Sequence, residues 1–304
     1  MSRFDVVGFG ALNVDKLFKV NKIAKAEEES FVTSFEETCG GSAANTIVGL
    51  ARLGCKVGFI GKVAGDREGN MLLKSFQQEN VDTRGVIQTK EGRSGACMGF
   101  VDRKGKRALY VDPGVNDTIS FEEIDLGYVG QAEFLHLTSF VGNKSFQTQK
   151  RLVEKLPESV KVSFDAGEIY AARGLASLEK IMAKTFVFMP NFHELRLLTG
   201  VVDYKKGAQM LLRKGVKIVA VKLGSKGCYV ADSKETYHVE PFKVKPVDTT
   251  GAGDAFCAGF LYGLLKGKSL YECGRIGNFV ASKVVEKKGA RTGLARAEEL
   301  KLLH

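Results

Sequence analysis

Short runs rich in β-branched and aromatic residues alternate with stretches of helical composition along most of this chain, and this alternation constrains the fold more than any other feature. Residues 3–10 read as a buried strand, residues 43–53 as a helix closed by Gly54, and residues 56–60 as the next strand. Asp66 caps a helix that runs to about Gln78. Further strands follow at 134–137, 160–165, 186–189 and 217–223. Helices separate them near 144–156, up to Ala183, around Glu194 and over 204–214. Strands that each feed a helix need crossover connections, so the expected fold is α/β: a doubly wound, mostly parallel sheet flanked by helices.

Two insertions interrupt the rhythm. Residues 14–37 read as two short strands around a charged loop at 22–29, and residues 94–112 as a hairpin with strands at 96–102 and 107–112. Together they would form a small antiparallel sheet beside the core, either a lid that closes on substrate or plain edge elaboration. With five prolines and no Pro/Gly/Ser linker or repeat, residues 1–304 are expected to be one domain, with a lid formed by about 14–37 and 94–112.

Composition removes several function classes. At 44% hydrophobic and 26% charged, the chain has an ordinary globular balance. Its most apolar run, 255–265, contains two glycines and falls short of the ~18 residues a membrane span needs. The absence of a leader-like apolar segment near Arg3 gives a cytoplasmic expectation. The six cysteines are dispersed without C-x-x-C, so they are expected to be reduced, and the four scattered histidines offer no zinc spacing. The net charge of +10 favours anionic ligands. Its basic residues are interspersed with acidic ones and Trp is absent, which argues against nucleic acid.

The most informative stretch is Val247-Asp248-Thr249-Thr250-Gly251-Ala252-Gly253-Asp254-Ala255-Phe256. Glycines let several N–H groups aim at one point, and the start of the apolar helix adds its positive dipole end, a ready anion site. A carboxylate beside a bound phosphate is repulsive unless it handles a proton. Asp254 therefore suits abstraction from an alcohol as its oxygen attacks a phosphoryl group, although the same residues can simply cap and turn a helix.

Two other motifs fail. Gly8-Phe9-Gly10 lacks the third glycine of a dinucleotide fingerprint, Asn13 standing in its place. Gly267-Lys268-Ser269 has Tyr262 where a P-loop needs glycine, and reads as a helix C-cap.

Three clusters sharpen the kinase reading. Gly40-Gly41 precede a helix with Asn45 one turn inside, which lets backbone and an amide approach a polyhydroxylated ligand. Asn191 and Glu194, three apart at a helix start, could face a hydrated Mg²⁺ or form a capping box. Lys222-Leu223-Gly224-Ser225-Lys226-Gly227 is a Gly-rich bend suited to adenine or phosphate, or to a plain hairpin.

With these motifs in order over essentially its whole length, the sequence resembles the PfkB/ribokinase family of carbohydrate kinases. The resemblance implies ATP-dependent phosphorylation of a sugar-type hydroxyl, a ribokinase-like core and a β-sheet lid. Residue by residue, it implies Asp254 as base, with Gly251, Ala252 and Gly253 as the γ-phosphate anion hole. Asn13, Asp15, Gly40, Gly41 and Asn45 fall at the sugar site, and Lys222, Gly224, Ser225, Gly227 and Asn278 at the ATP site. Asn191 and Glu194 match the Mg²⁺·phosphate motif, and Asp248 and the Thr250 carbonyl, with the loop near Gly289, match a monovalent-cation (K⁺) site.

Several positions depart from ribokinases proper. Ser42 stands where they carry Lys, Thr138-Ser139 where they carry Glu, and Lys222 where Thr is common. Asp165-Ala166-Gly167 lacks the Asn and Arg found in some ketosugar kinases. The lid residues Lys106, Arg107 and Tyr110 would meet an acidic or bulky substrate, or form only a charged hairpin. The expectation is an ATP:sugar phosphotransferase, ribose-like acceptors favoured, working with Mg²⁺ and forming a homodimer through the lid. The alternatives are a nucleoside kinase, a 2-keto-3-deoxy sugar acid or inositol kinase, or a non-catalytic sugar or nucleotide sensor. A nucleoside kinase would need a wider, more apolar pocket for the base.

Overall fold

The computed structural model describes residues 3–303. The chain begins with β1 (Phe4–Phe9), β2 (Asn13–Val20), β3 (Val32–Gly40) and α1 (Ser42–Arg52). It continues through β4 (Val57–Ala64), α2 (Arg67–Gln78), β5 (Val86–Thr89), β6 (Gly95–Val101) and β7 (Arg107–Asp112). Next come α3 (Leu126–Val129), β8 (Ala132–Thr138), α4 (Asn143–Lys155), β9 (Lys161–Asp165), α5 (Gly167–Ala171) and α6 (Gly174–Lys184). These lead to β10 (Thr185–Phe188), α7 (Phe192–Thr199), α8 (Tyr204–Arg213), β11 (Ile218–Lys222), β12 (Cys228–Ala231) and β13 (Thr236–Val239). Helices α9 (Ala252–Leu265) and α10 (Leu270–Val285) follow.

Nine strands form the main sheet in the order β13-β12-β11-β10-β9-β8-β1-β4-β5. Every pairing from β11 to β5 is parallel, and only the β11–β12 and β12–β13 pairings are antiparallel, so β12 alone runs against the rest. The central strands are buried on both faces, which is why β4 and β11 are almost continuously apolar, whereas the edge strands β5 and β13 carry exposed residues. Val6 joins the core beneath α1, α9 and α10, while its neighbour Val7 joins the core beneath α4, α6 and α8. Full burial of each such side chain is worth about 1.5–3 kcal/mol.

The second sheet has the order β3-β2-β6-β7. It is mixed, not wholly antiparallel as expected, because β2 and β6 pair in parallel, Asn13 opposite Gly95. The reason is topological: β2 and β6 follow β1 and β5, which run parallel to one another on either side of β4, and so leave the core in one direction. Phe18 stacks between Phe35 and Phe100 at 4.8 and 5.0 Å, while Phe31, Leu109 and Tyr110 stay largely exposed. Arg107 reaches Asp248 at 3.6 Å and Lys288 reaches Glu36 at 2.8 Å, tying this sheet to the loops that precede α9 and follow α10. Tyr110 packs edge-on against Phe100.

Other boundaries also move. The strand expected at 56–60 continues to Ala64, and α9 begins at Ala252, three residues before its apolar run. The helix expected to reach Ala183 is broken into α5 and α6 at Gly174, whose φ is +76°. No membrane-length apolar helix occurs among the described residues.

Candidate active site

Two adjoining cavities, of about 660 and 400 Å³, open where β8, β9 and β11 end and α9 begins. Thr138, Ser139, Ser42, Gly253 and Asp254 line both, so Asp254 stands at their junction. The carboxyl ends of parallel strands are where open α/β sheets generally take ligands.

The start of α9 is shaped by Gly251. Its φ of +78° is left-handed, and a Cβ there would come within 2.6 Å of Ala290, so only glycine fits. The Ala252 N–H donates to the Thr249 carbonyl at 3.2 Å and is thereby engaged, unlike the open amide expected of it. The next amides, of Gly253 and Asp254, belong to the first turn of a 14-residue helix, where intrahelical acceptors are lacking. Asp254 accepts from Asn45 Nδ2 at 2.9 Å. Burial is the main cause that pushes its pKa up to about 7, the Asp165 charge adding to it while Asn45, Lys222 and Arg291 oppose it.

Asn45 in turn accepts at Oδ1 from Arg291 Nε at 2.7 Å, and Arg291 also reaches Ser75. Sequence reading missed Arg291, which lies 246 residues from Asn45 and carries no local motif. It also missed Asn116, 1% exposed, which donates to Asn13 Oδ1 at 3.0 Å and to the Leu12 carbonyl at 2.9 Å. Asn13 therefore keeps its own NH₂ for the smaller cavity, which it lines beside Asp15, Gly41 and Asn45. Gly40 makes room for Asp15, since a Cβ would lie 2.1 Å from Asp15 Oδ2. Burial raises the Asp15 pKa to about 6, partly offset by Arg291.

The larger cavity gathers Asn191, Glu194, Lys222, Gly224, Ser225, Gly227 and Asn278. Lys222 Nζ bonds Asp165 Oδ2 at 2.5 Å, and a Cβ on Gly253 would lie 3.4 Å from that Nζ, so the ammonium sits beside the first turn of α9. Burial disfavours this charge, but Asp165, Cys257 and Glu194 outweigh it and hold Lys222 protonated. Asp165, another residue unassigned from sequence, also accepts from Cys257 Sγ at 3.5 Å. The bend at 224–227 is both a hairpin between antiparallel strands and a cavity wall. Asn278 donates to the carbonyls of Val239 and Glu240, both at 3.0 Å, leaving only its Oδ1 toward the cavity.

Asn191 and Glu194 form the capping box: Asn191 N and Nδ2 donate to Glu194 at 2.7 Å each, and Glu194 N donates back at 2.9 Å. Burial and the Asp165 charge raise Glu194 to about 7. A carboxylate with both oxygens already bonded fits a hydrated cation held through water and not direct ligation, and no cluster of three metal-ligating side chains occurs among the described residues. Asp248 accepts from Thr250 N and Oγ1 and from Gly289 N, with Arg107 beside it. Oδ2 accepts only from Gly289 N, so a monovalent cation would have that oxygen and carbonyls such as that of Thr250 as its candidate ligands.

Comparison with known proteins fits this geometry. Residues 3–297 match the model of the pfkB family carbohydrate kinases. An Archaeoglobus fulgidus protein described as an uncharacterized sugar kinase is 52% identical, over 82% of this chain and 99% of its own. The crystal structure of Thermotoga maritima ribokinase superposes with a TM-score of 0.87 at 27% identity, over 98% of both chains. Arabidopsis thaliana ribokinase, solved with ribose and ATP, gives 0.88 at 24% identity, over 100% of this chain and 99% of its own. The ribokinase fold, the family model and the kinase relatives converge: this chain belongs to the pfkB family of carbohydrate kinases and is a phosphotransferase that acts on an alcohol.

Proposed function

We propose that the larger cavity takes ATP and the smaller one a polyhydroxylated acceptor, with Asp254 as the base between them. The observation that carries this reading is the position of Asp254, shared by both cavities and held by Asn45. The acceptor hydroxyl oxygen bonds to the γ-phosphorus as the bond from that phosphorus to the β,γ-bridging oxygen breaks. The hydroxyl proton passes to Asp254, and the products are a phosphate monoester and ADP. Such transfers go through a loose transition state, so placement and charge neutralisation dominate. Gly253 and Asp254 amides at the α9 terminus and the Lys222 ammonium supply that neutralisation from the protein. A carboxyl with a pKa near 7 is an effective base at neutral pH.

Asn13, Asp15 and Asn45 would hold the acceptor's hydroxyls, a carboxylate such as Asp15 accepting from two neighbouring ones. Gly224, Ser225, Gly227 and the Asn278 Oδ1 would border the nucleotide. Mg²⁺ fits only through water on Asn191 and Glu194, and when bound it neutralises phosphate charge. No step is assigned to a monovalent cation. The four-stranded sheet acts as the lid over a single 1–304 domain, and its exposed Phe31, Leu109 and Tyr110 fit a second copy of the chain.

The test is acceptor-dependent ADP release from Mg·ATP. Release that needs an acceptor and is lost in Asp254→Asn supports the reading. Nucleotide binding without acceptor-dependent release across sugars, inositol, sugar acids and nucleosides would leave a sensor instead.

A further inference from the structure

The acceptor cavity differs in charge from its neighbour. Asp15, Asp117 and Asp254 line it and, among the described residues, no Lys, Arg or His does, whereas in the donor cavity Lys222 and Lys243 stand beside the carboxyl groups of Asp165, Glu194 and Asp254. Arg107, Arg173 and Arg291 come from neighbouring elements and do not line it: Arg107 lies 3.6 Å from Asp248, Arg173 bonds the Val141 carbonyl at 3.2 Å, and Arg291 bonds Asn45 and Ser75 while its buried Nη2 has no hydrogen-bond partner. A phosphate or carboxylate on the acceptor would therefore enter beside three carboxyl groups and, among the described residues, find no cation lining the cavity to receive it.

The same cavity has an apolar wall. Val111 of β7, Val141 after β8 and Ile169 of α5 are 51%, 45% and 43% exposed, and all three line it with Pro113. Single exposed aliphatic residues need no explanation, but four converging from separate elements on one cavity do. A free sugar, hydroxylated on nearly every carbon, has only its few C–H groups to set against them. A flat heteroaromatic ring does. Asp117, on the same wall, has a buried carboxylate oxygen without a hydrogen-bond partner.

We propose that the acceptor is a ribonucleoside. Its ribosyl hydroxyls face Asn13, Asp15 and Asn45, its neutral base lies against Val111, Val141 and Ile169, and Asp117 accepts from an amine or ring N–H of that base. This rests on the kinase reading above and narrows its acceptor to one class.

The experiment compares kcat/KM for adenosine, guanosine, cytidine, uridine, inosine, ribose, ribose 1-phosphate and 2-keto-3-deoxygluconate with Mg·ATP. At least one nucleoside is expected to exceed ribose by about tenfold or more, with both anionic acceptors inert. Val141→Asp and Ile169→Asp, at half-exposed positions that tolerate a polar side chain, should each lower the nucleoside-to-ribose ratio about tenfold. Asp117→Asn should reorder the preference among bases. Ribose or an anionic acceptor used as well as the best nucleoside would overturn the proposal. So would an unchanged ratio in both aspartate variants, which would give the apolar wall to lid closure. Failure of every acceptor would instead remove the kinase reading itself.

Discussion

Asn45 donates its amide to Asp254 at 2.9 Å while its carbonyl oxygen accepts from Arg291 at 2.7 Å. The orientation is forced. Arg291 can only donate, so the Asn45 oxygen must face it, and the NH₂ is then turned to the carboxylate. One oxygen of Asp254 is held and the other remains for the acceptor. Asp254→Asn should therefore lower kcat by at least ~10²-fold while ATP affinity, measured by calorimetry, barely changes. Near-normal turnover would remove Asp254 from its role.

Arg291 is a positioning residue in this account. Its charge draws the Asp254 and Asp15 carboxyls downward against burial. Arg291→Gln should thus move the acidic limb of the kcat/KM profile to higher pH, and Arg291→Lys should move it less. A purely structural role would lower activity without displacing that limb.

The pH dependence of stability has a definite sign. Burial raises the folded-state pKa of Asp254 from 3.8 to about 7, so folding favours its neutral form. That contribution is fully present below about pH 4 and is lost as pH rises through 7. Asp254→Asn should accordingly gain stability relative to the wild type between pH 5 and pH 8, by something on the order of 1–3 kcal/mol. Urea unfolding of the unliganded proteins at the two pH values measures this, and an unchanged difference would contradict the assigned burial.

The Lys222–Asp165 pair combines stability with function. Lys222→Met strands a buried carboxylate and should cost about 3–5 kcal/mol, whereas Lys222→Met with Asp165→Asn should recover much of it. Turnover should stay low in both, because the ammonium beside α9 is gone in each. Recovery of turnover in the double variant would reduce Lys222 to a structural partner.

What the sequence revealed follows from range. The turn at 248–254, the pair Gly40-Gly41 and the capping residues Asn191 and Glu194 are local, and the helix starts they form read directly from spacing. Asn116, Asp165 and Arg291 act across 103, 57 and 246 residues, so no window contains both partners. The parallel pairing of β2 with β6 escaped for the same reason, since hairpin signals describe only adjacent strands. The hydrogen bond from Ala252 N to the Thr249 carbonyl is internal to a turn and leaves no mark in composition.

The most direct measurement is a crystal structure with a non-hydrolysable ATP analogue and a turned-over acceptor. The account predicts the terminal phosphate against the Gly253 and Asp254 amides, and one acceptor hydroxyl within about 2.6–3.2 Å of the Asp254 carboxylate. An Asp254 carboxylate turned away from every acceptor hydroxyl would contradict it.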